Sequence, residues 1–507
     1  MAWLGTFYCR FRSKIVIFVI TMRGGAENLT TRIAKIPMAM ALIPFALGIF
    51  FVDGYEVPLW LMIIACVASL AGAILLKKWW QTLAIFMLFG STGALLHSTS
   101  FRGEIPYNKP LEMELKVERS SVERDGYTSA EAIIERCEEA SLADCKVALW
   151  GDSLTHFKAG DRVRLTTKIR PFRTEREQYA KLMHHRGFVG SVSINYSADY
   201  EITPTDNGTL HDWAVKRLQS SINEGDGRAV VLAMATGERS EIGDNLRQNY
   251  SSSGASHLLA VSGLHIGIAF MLINLLLLPL ILLPYGNLWR SIAAIAMIWL
   301  YVWLCGTSPS AIRAAIMFSM LQFALSSLRE YVSINILAST AFVMLAFDSH
   351  LLFDISFQLS FIAVAAIIVW AAPMYRLCAT RFRVVNLLLG VLFVGIASTL
   401  ATMPLVAKSF ATISLVGILI NPIVLLLANI VVLAGVLALV LPFMGCVAEQ
   451  AAEWQNGVVE WAASLPYGHF DATIPEWVMW IAYALYTVAT IIFWSASKEK
   501  KEPKIEG

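Results

Sequence analysis

Apolar windows of membrane-crossing length recur along this 507-residue chain, and no other feature limits its folding as strongly. They run Ile36–Val52, Val57–Leu76, Trp79–Leu96, Leu258–Leu283, Trp289–Cys305, Ile312–Ser327, Tyr331–Phe347, Leu352–Ala372, Val385–Val406, Pro422–Pro442 and Trp477–Trp494. Each approaches the ~20 residues an α-helix needs to cross a hydrocarbon core, where only helices and closed barrels satisfy their own backbone polar groups. Charged residues make up 15% of the chain, against about 25% in an ordinary soluble protein. The chain reads as a polytopic α-helical membrane protein of about 11 spans.

The windows divide the chain. Residues 1–97 hold three spans, and 98–205 have soluble composition. Residues 206–256 form a polar connector, 257–496 hold the remaining spans, and 497–507 are a charged tail. Arg23, Arg32 and Lys35 precede the first span, and Lys77 and Lys78 separate the second from the third. Arg290, Arg329 and the group Arg376, Arg381 and Arg383 then fall in alternate loops. Under the positive-inside rule these sites are cytoplasmic, so the 98–205 insert is expected on the extracytoplasmic side. Simple crossings would leave the basic tail outside. The expected repair is a pair of half-helices or a re-entrant segment in Ile413–Leu441, broken at Asn421-Pro422. At the N-terminus Arg10, Arg12 and Lys14 precede a short apolar run, Ile15–Ile20, without a convincing signal-peptide cleavage site, and Met22 is a second candidate start.

The insert reads as β-rich. "LEMELKVER", "TSAEAIIERCEE", "CKVALWG", "DRVRLTTKIR" and "GSVSINY" are short alternating or β-branched runs, and five short strands suit a small OB-like barrel. Lys158, Arg162, Arg164, Lys168, Arg170, Arg173, Arg176, Lys181 and Arg186 stand against three acids, with Phe172, Tyr179 and His184-His185 between them. Cations that track phosphates and rings that stack on bases are what a single-stranded nucleic-acid groove needs; a solvated face, partly balanced by the acids of Glu131–Asp144, is the alternative. Cys137 and Cys145 have a spacing compatible with a disulfide in an oxidising compartment. Beyond the insert, "HDWAVKRLQSSI" has amphipathic spacing, with Ala214, Val215, Leu218 and Ile222 on one side, and is expected at the membrane surface. Gly237 and Gly254 are the expected breaks that follow.

Ionisable groups in spans are costly and mark function by default. In "HLLAVSGLHIG", His257 and His265 would lie about 80° apart on an ideal helix, which is not the i,i+4 spacing of paired metal ligands. No HExxH or G-x-S-x-G motif is present, so neither a metal site nor a serine nucleophile is expected. Ser262-Gly263 points to an interrupted helix exposing backbone dipoles to polar cargo, with small-residue helix packing as the alternative. Arg313 opens a span in "GTSPSAIRAAIM", where it either snorkels or holds phosphate oxygens. Asp354 and Gln358 in "FDISFQLSF" are i,i+4 on one helical face, and Asn421 is placed to cap a half-helix.

These stretches carry a resemblance. "HLLAVSGLHIG" is nearly letter for letter the hallmark of the ComEC family of DNA-uptake channels. "GTSPSAIRAAIM", "DISFQLSF" and "ILINPIV" follow in that family's order, and "KAGDRVRLTTKIRPF…GFVGSVSI" looks like its OB-type domain. The resemblance spans roughly residues 36–495. It implies an inner-membrane channel passing one strand of transforming DNA into the cytoplasm, with the OB-type domain at the outer mouth. His257, Ser262, Gly263, His265, Arg313, Asp354 and Gln358 match positions in the family motifs and become pore or gate candidates, with Asn421 beside them.

Many members of that family also carry a metallo-β-lactamase-like domain with an H-x-H-x-D-H cluster. None of the nine histidines here stands in an H-x-H arrangement, so a separate nuclease is expected. No G-x-x-x-x-G-K-[ST] phosphate loop is present either. No cofactor or enzymatic activity is therefore expected. The expected partners are single-stranded DNA, the bilayer, a periplasmic DNA receptor, a cytosolic ATP-driven helicase or translocase, and single-strand-binding proteins. The competing readings are a permease for a small polar or anionic solute and a non-transporting scaffold that docks partners.

Overall fold

The computed structural model describes residues 37–499 apart from short internal stretches, the longest being 100–106, 173–182, 204–208 and 327–332. The chain forms two compact units, Met1–Thr209 with Ile334–Phe357, and Leu210–Ser333 with Gln358–Gly507.

In the first unit three apolar helices come first: α1 (Pro37–Gly54), α2 (Leu59–Leu75) and α3 (Trp79–Thr99). Glycines set the α1–α3 approach. A Cβ on Gly48 would collide with the Gly90 carbonyl, and one on Gly93 with the Phe45 carbonyl, so these backbones touch as small-residue faces allow. The segment after residue 333 returns to this unit as α10 (Ser333–Phe347). Its Phe342 ring lies 4.7 Å from Phe45 and 5.8 Å from Phe89. A 3-10 turn, Ser349–Phe353, follows. His97 ties this turn to the helix ends, with Nδ1 2.9 Å from Ser349 Oγ and Nε2 3.5 Å from Asp53 Oδ1.

The insert is a six-stranded sheet ordered β5-β3-β2-β1-β4-β6, from β1 (Leu111–Arg124), β2 (Tyr127–Cys137), β3 (Lys146–Asp152), β4 (Arg162–Thr167), β5 (Phe188–Ser193) and β6 (Tyr200–Thr203). All pairings are antiparallel except β3 with β5. Just past β4, Arg170 bridges to Ser191 of β5, which brings the two ends of the β4-β1-β2-β3-β5 series together. Alternation packs the interior: Leu111, Met113, Leu115, Val147, Leu149, Val163 and Leu165 are all buried. β6 had no counterpart among the expected strands.

Two sequence expectations about this sheet are corrected. Cys137 and Cys145 are free thiols. The Ile134 N–H donates to the Cys145 carbonyl, so Cys145 lies opposite Ile134. Cys137 lies three residues further along β2, beyond a bulge and opposite Met113, which is too far for a bridge. Phe172 is not offered to a base. It is buried with Ala148, Met183 and Phe188.

The second unit begins with α4 (Leu210–Gln219), α5 (Asp226–Ala235) and α6 (Asp244–Ser252). Ala214, Leu218 and Ile222 bury their expected face. Gly237 and Gly254 sit at φ +83° and +78°, where a side chain would be strained. Then come α7 (Gly263–Leu276), α8 (Gly286–Leu304), α9 (Pro309–Ser326), α11 (Ile355–Ala366, continuing through a π turn into α12, Ala372–Cys378), α13 (Arg383–Phe410), α14 (Val416–Ala438), α15 (Met444–Ala463) and α16 (Glu476–Glu499). A short antiparallel pair joins Thr412–Ser414 to His469–Asp471. α5, nearly all buried, packs against α14 and α15 in one core.

Three helix expectations change. α14 is a single helix that runs through Pro422, so Asn421 lies inside it and caps no half-helix. The proline falls in the second turn, where only a short N-terminal stub precedes the one i→i−4 bond it removes. The window Leu258–Leu283 is not one helix, because α7 covers only its middle and a 3-10 turn follows at Leu278–Leu282. Asp354 precedes α11 rather than sharing a helical face with Gln358: its Oδ1 accepts from the Phe357 N–H at 2.9 Å, as an N-cap. Among the described residues, five helical stretches are long and apolar enough to cross a membrane: Trp79–Thr99, Gly286–Leu304, Ile355–Tyr375, Leu388–Ser409 and Ile420–Ala438.

Candidate functional site

The second unit gathers its unusual polar groups at one place, where α8 ends and α7 and α9 begin. The local chemistry is legible in "LCGTSPSAIR". Gly306 takes φ +68°. Its N–H donates to the Trp303 carbonyl at 3.2 Å and the Thr307 N–H to the Val302 carbonyl at 3.1 Å, the paired bonds of a Schellman C-terminus. Thr307, at φ +52°, is β-branched in a region such residues avoid. Ser308 then caps α9, with its Oγ accepting from the Ala311 N–H at 3.4 Å, and Pro309 takes the first helical position, where no N–H is needed.

The neighbouring start is built differently. The expected interruption at Ser262-Gly263 is present: a 3-10 turn over Ser256–Leu259 carries His257, and Ser262 is the N-cap of α7. His257 and His265 therefore belong to different elements. His265, fully buried, folds back over its own first turn, and its Nδ1 accepts from the Ser262 N–H at 3.3 Å. That acceptor role puts the imidazole proton on Nε2, which is buried without a partner. Ser262 Oγ leans toward the first turn in the manner of a capping box, but short of a hydrogen bond.

The two starts touch. Ser310 Oγ in the first turn of α9 donates to the Val261 carbonyl just ahead of α7. Further along, Phe270 and Phe318 stack at 4.8 Å between the two helices. Arg313 is buried in the second turn of α9. From the α5 side, Tyr301 Oη and Cys305 Sγ both donate to the Ala235 carbonyl, at 3.2 and 3.4 Å. His211 of α4 closes the cluster with Nδ1 2.8 Å from the Leu304 carbonyl and Nε2 3.6 Å from Glu238 Oε2. Burial alone would lower His211, but its contacts with Glu238 and the Leu304 carbonyl raise it above the ordinary histidine value. The His211 ring beside Glu238, helped by the Ser240 N–H, holds that carboxyl down at about 2 despite its burial.

Of the predicted residues, Ser262, Gly263, His265 and Arg313 are brought to this end. His257 is exposed on the preceding turn, and Asn421 lies in α14 with Oδ1 buried and unpartnered. Asp354 caps the start of α11. Sequence reasoning missed His211 and Glu238, which sit in an ordinary polar connector. It also missed the buried relay in which Gln455 Nε2 donates to Tyr250 Oη (2.9 Å) and Tyr250 Oη to Asn456 Oδ1 (2.8 Å). Among the described residues, no three of His, Cys, Asp or Glu come together as a metal set.

On the insert, Arg162, Arg164, Lys168 and Arg170 do form one exposed row, alternating with buried Val163, Leu165, Thr167 and Ile169. The row is partly spent on acids. Arg162 Nε lies 2.9 Å from Glu135 Oε2, and Arg164 is flanked in register by Glu114 and Glu201. Lys158, Arg173, Arg176, Lys181 and Arg186, with Tyr179 and His184-His185, lie outside the described residues.

Long apolar helices and polar groups gathered at helix ends define a multi-pass helical membrane protein. It belongs to the Competence protein family, whose profile matches residues 234–499 and so encloses α7, α8 and α9. An uncharacterized protein of Aquifex aeolicus (strain VF5) is 26% identical over 365 residues, 71% of this chain and 79% of that protein. ComE operon protein 3 of Bacillus subtilis (strain 168) is 31% identical over 218 residues, 43% of this chain and 26% of that protein. Uncharacterized protein YcaI of Escherichia coli (strain K12) is 27% identical over 293 residues, 55% and 38% of the two chains. The matches thus cover well under half the length of the latter two. No solved structure matches the chain.

Proposed function

We propose that the protein is an inner-membrane channel that passes single-stranded transforming DNA into the cytoplasm during natural competence, without enzymatic activity of its own. The observation that carries this reading is the family match over residues 234–499, within which the polar groups converge at the starts of α7 and α9. His257, Ser262, Gly263, His265, Arg313, Asp354, Gln358 and Asn421 are the channel's candidate pore or gate residues. The insert is read as an OB-type barrel on the extracytoplasmic side. Its 1-2-3-5-4 strand series, its parallel β3–β5 pair and the Arg170–Ser191 bridge support that reading, and Lys168 and Arg170 are its candidate phosphate contacts. Energy and strand handling fall to partners: a periplasmic DNA receptor, a cytosolic ATP-driven translocase, single-strand-binding proteins and a separate nuclease.

Deleting the gene in a transformable host tests the reading. Labelled DNA is expected to reach the periplasm and stop there, and DNA entering the cytoplasm at the wild-type rate refutes the channel. For the barrel, replacing Lys168 and Arg170 together by glutamate should weaken oligothymidylate binding and flatten its salt dependence by about two ion equivalents. An unchanged salt slope removes those residues from the interface.

A further inference from the structure

We propose that the joined N-termini of α7 and α9 form a binding site for a phosphate-type oxyanion, and that in the working channel this anion is a phosphodiester group of the travelling strand. The choice of strand phosphate as ligand rests on the uptake reading above; the site itself rests on geometry.

Each α-helix presents unpaired N–H groups and about half a positive charge at its start. One such end is commonplace. Here two are held together by the Ser310–Val261 hydrogen bond, at the heads of helices 14 and 18 residues long. An independent observation is His265. Its Nδ1 is committed to the Ser262 N–H, so the buried Nε2 must donate, and it has no acceptor. An unsatisfied buried donor is costly, and an oxyanion over the same helix start removes the deficit.

Access and charge agree. Gly263, the first residue of α7, is exposed. A Cβ there would meet only Ala314, at 3.9 Å, so neither crowding nor backbone conformation demands glycine. The missing side chain leaves the first N–H groups open to a ligand, as in glycine-led phosphate sites. Between Asp244 and Glu330 the chain has no Asp or Glu. The carboxylate that does come to this end, Glu238, is held by His211. A lining of N–H, hydroxyl and imidazole donors without a free carboxylate selects an anion over a cation or a neutral solute.

The test uses the full chain in nanodiscs of zwitterionic lipid, with Gly263→Val, His265→Leu and His265→Gln. Inorganic phosphate is titrated while thermal stability is read. Oligothymidylate is compared with its uncharged methylphosphonate analogue, and discs with and without phosphatidylglycerol are compared. Phosphate should stabilise the wild type. Gly263→Val and His265→Leu should weaken phosphate affinity at least about tenfold, some 1.4 kcal/mol, while His265→Gln, which keeps an acceptor and a donor, retains most of it. The unmodified strand should bind more tightly than the methylphosphonate strand, and by a smaller margin in Gly263→Val. Should Gly263→Val fail to fold, His265→Leu against His265→Gln decides. A phosphate response equal in wild type and variants overturns the site. A response that appears only with phosphatidylglycerol, or equal binding of the two strands, overturns the strand as ligand. A chain that supports transformation but lacks the phosphate response overturns this site and leaves the uptake reading intact; phosphate binding in a chain whose deletion leaves transformation unchanged does the reverse.

Discussion

The His211–Glu238 pair offers the sharpest check on the site's electrostatics, through His211→Gln. Glutamine can still donate to the Leu304 carbonyl but cannot carry charge. Holding the Glu238 carboxyl at about 2 rather than at 4.5 corresponds to about 3 kcal/mol, and side chains only 20% and 18% exposed leave little solvent screening to discount. The shifts of the two partners report one interaction and count once. Glu238 has its folded value depressed, so its contribution is complete above about pH 4.5 and is lost as pH falls toward 2. His211 has its folded value raised above 6.5, so its contribution is complete below about pH 6.5 and is lost as pH climbs through the raised value. The pair therefore stabilises most between about pH 4.5 and 6.5. Thermal unfolding of wild type and His211→Gln, measured in one detergent from about pH 3 to 9, should show the widest gap near pH 5.5. At about 2 °C per kcal/mol for a unit of this size, that gap is about 6 °C, closing toward both extremes. A gap independent of pH, or widest near pH 9, refutes the ion pair as the source of stability.

Other substitutions probe packing and hydrogen bonding. Tyr250→Phe removes the hydroxyl between Gln455 and Asn456 and leaves the buried Gln455 amide with only Met234 Sδ at 3.8 Å. A loss of about 2–3 kcal/mol is expected, and a loss under 0.5 kcal/mol in chemical denaturation contradicts the relay. Gly48→Ala forces α1 from the Gly90 carbonyl and should cost at least about 2 kcal/mol, whereas Gly395→Ala, whose Cβ meets nothing, should be near neutral; equal thermal shifts negate the close approach. Maleimide labelling of denatured protein should be the same with and without reductant, because Cys137 and Cys145 are free. Two further thiols released by reductant would show that they are bridged.

What the sequence made legible follows from how local each feature is. The strands of the insert were readable because inward and outward residues alternate along the chain itself, as Arg162–Thr167 does residue by residue. The break at Ser262-Gly263 was readable for the same reason, since an N-cap and a glycine announce a helix start within two positions. α15 escaped. Glu449, Glu453 and Glu460 interrupt its hydropathy, and its buried face consists mainly of alanines, Ala448, Ala451, Ala452 and Ala462, which carry little apolar signal. The half-helices expected around Pro422 failed because a proline near a helix start removes little when the rest of the helix is packed. Phe172 was misjudged because an aromatic ring beside basic residues looks the same in sequence whether it faces solvent or the Phe188 cluster.

The site itself was legible only in halves. "VSGLH" and "GTSPSAIR" were each recognisable as unusual, and separate physical reasons explain them: a cap whose third residue folds back, and a Schellman end followed by serine and proline. Nothing in either stretch says that they meet. Their meeting depends on α8, which ends on the Gly306 turn and so returns the chain to the level at which α7 began, and on Ser310 reaching the Val261 carbonyl. Once they meet, a property belonging to neither stretch arises. Two positive helix starts and a buried imidazole donor stand together in a segment without acidic residues. Such a concentration of donors is unfavourable to assemble unless something negative occupies it. That arrangement follows more naturally from handling an anion than from packing, because a Cβ at position 263 would meet only Ala314, at 3.9 Å, and the buried His265 Nε2 has no acceptor.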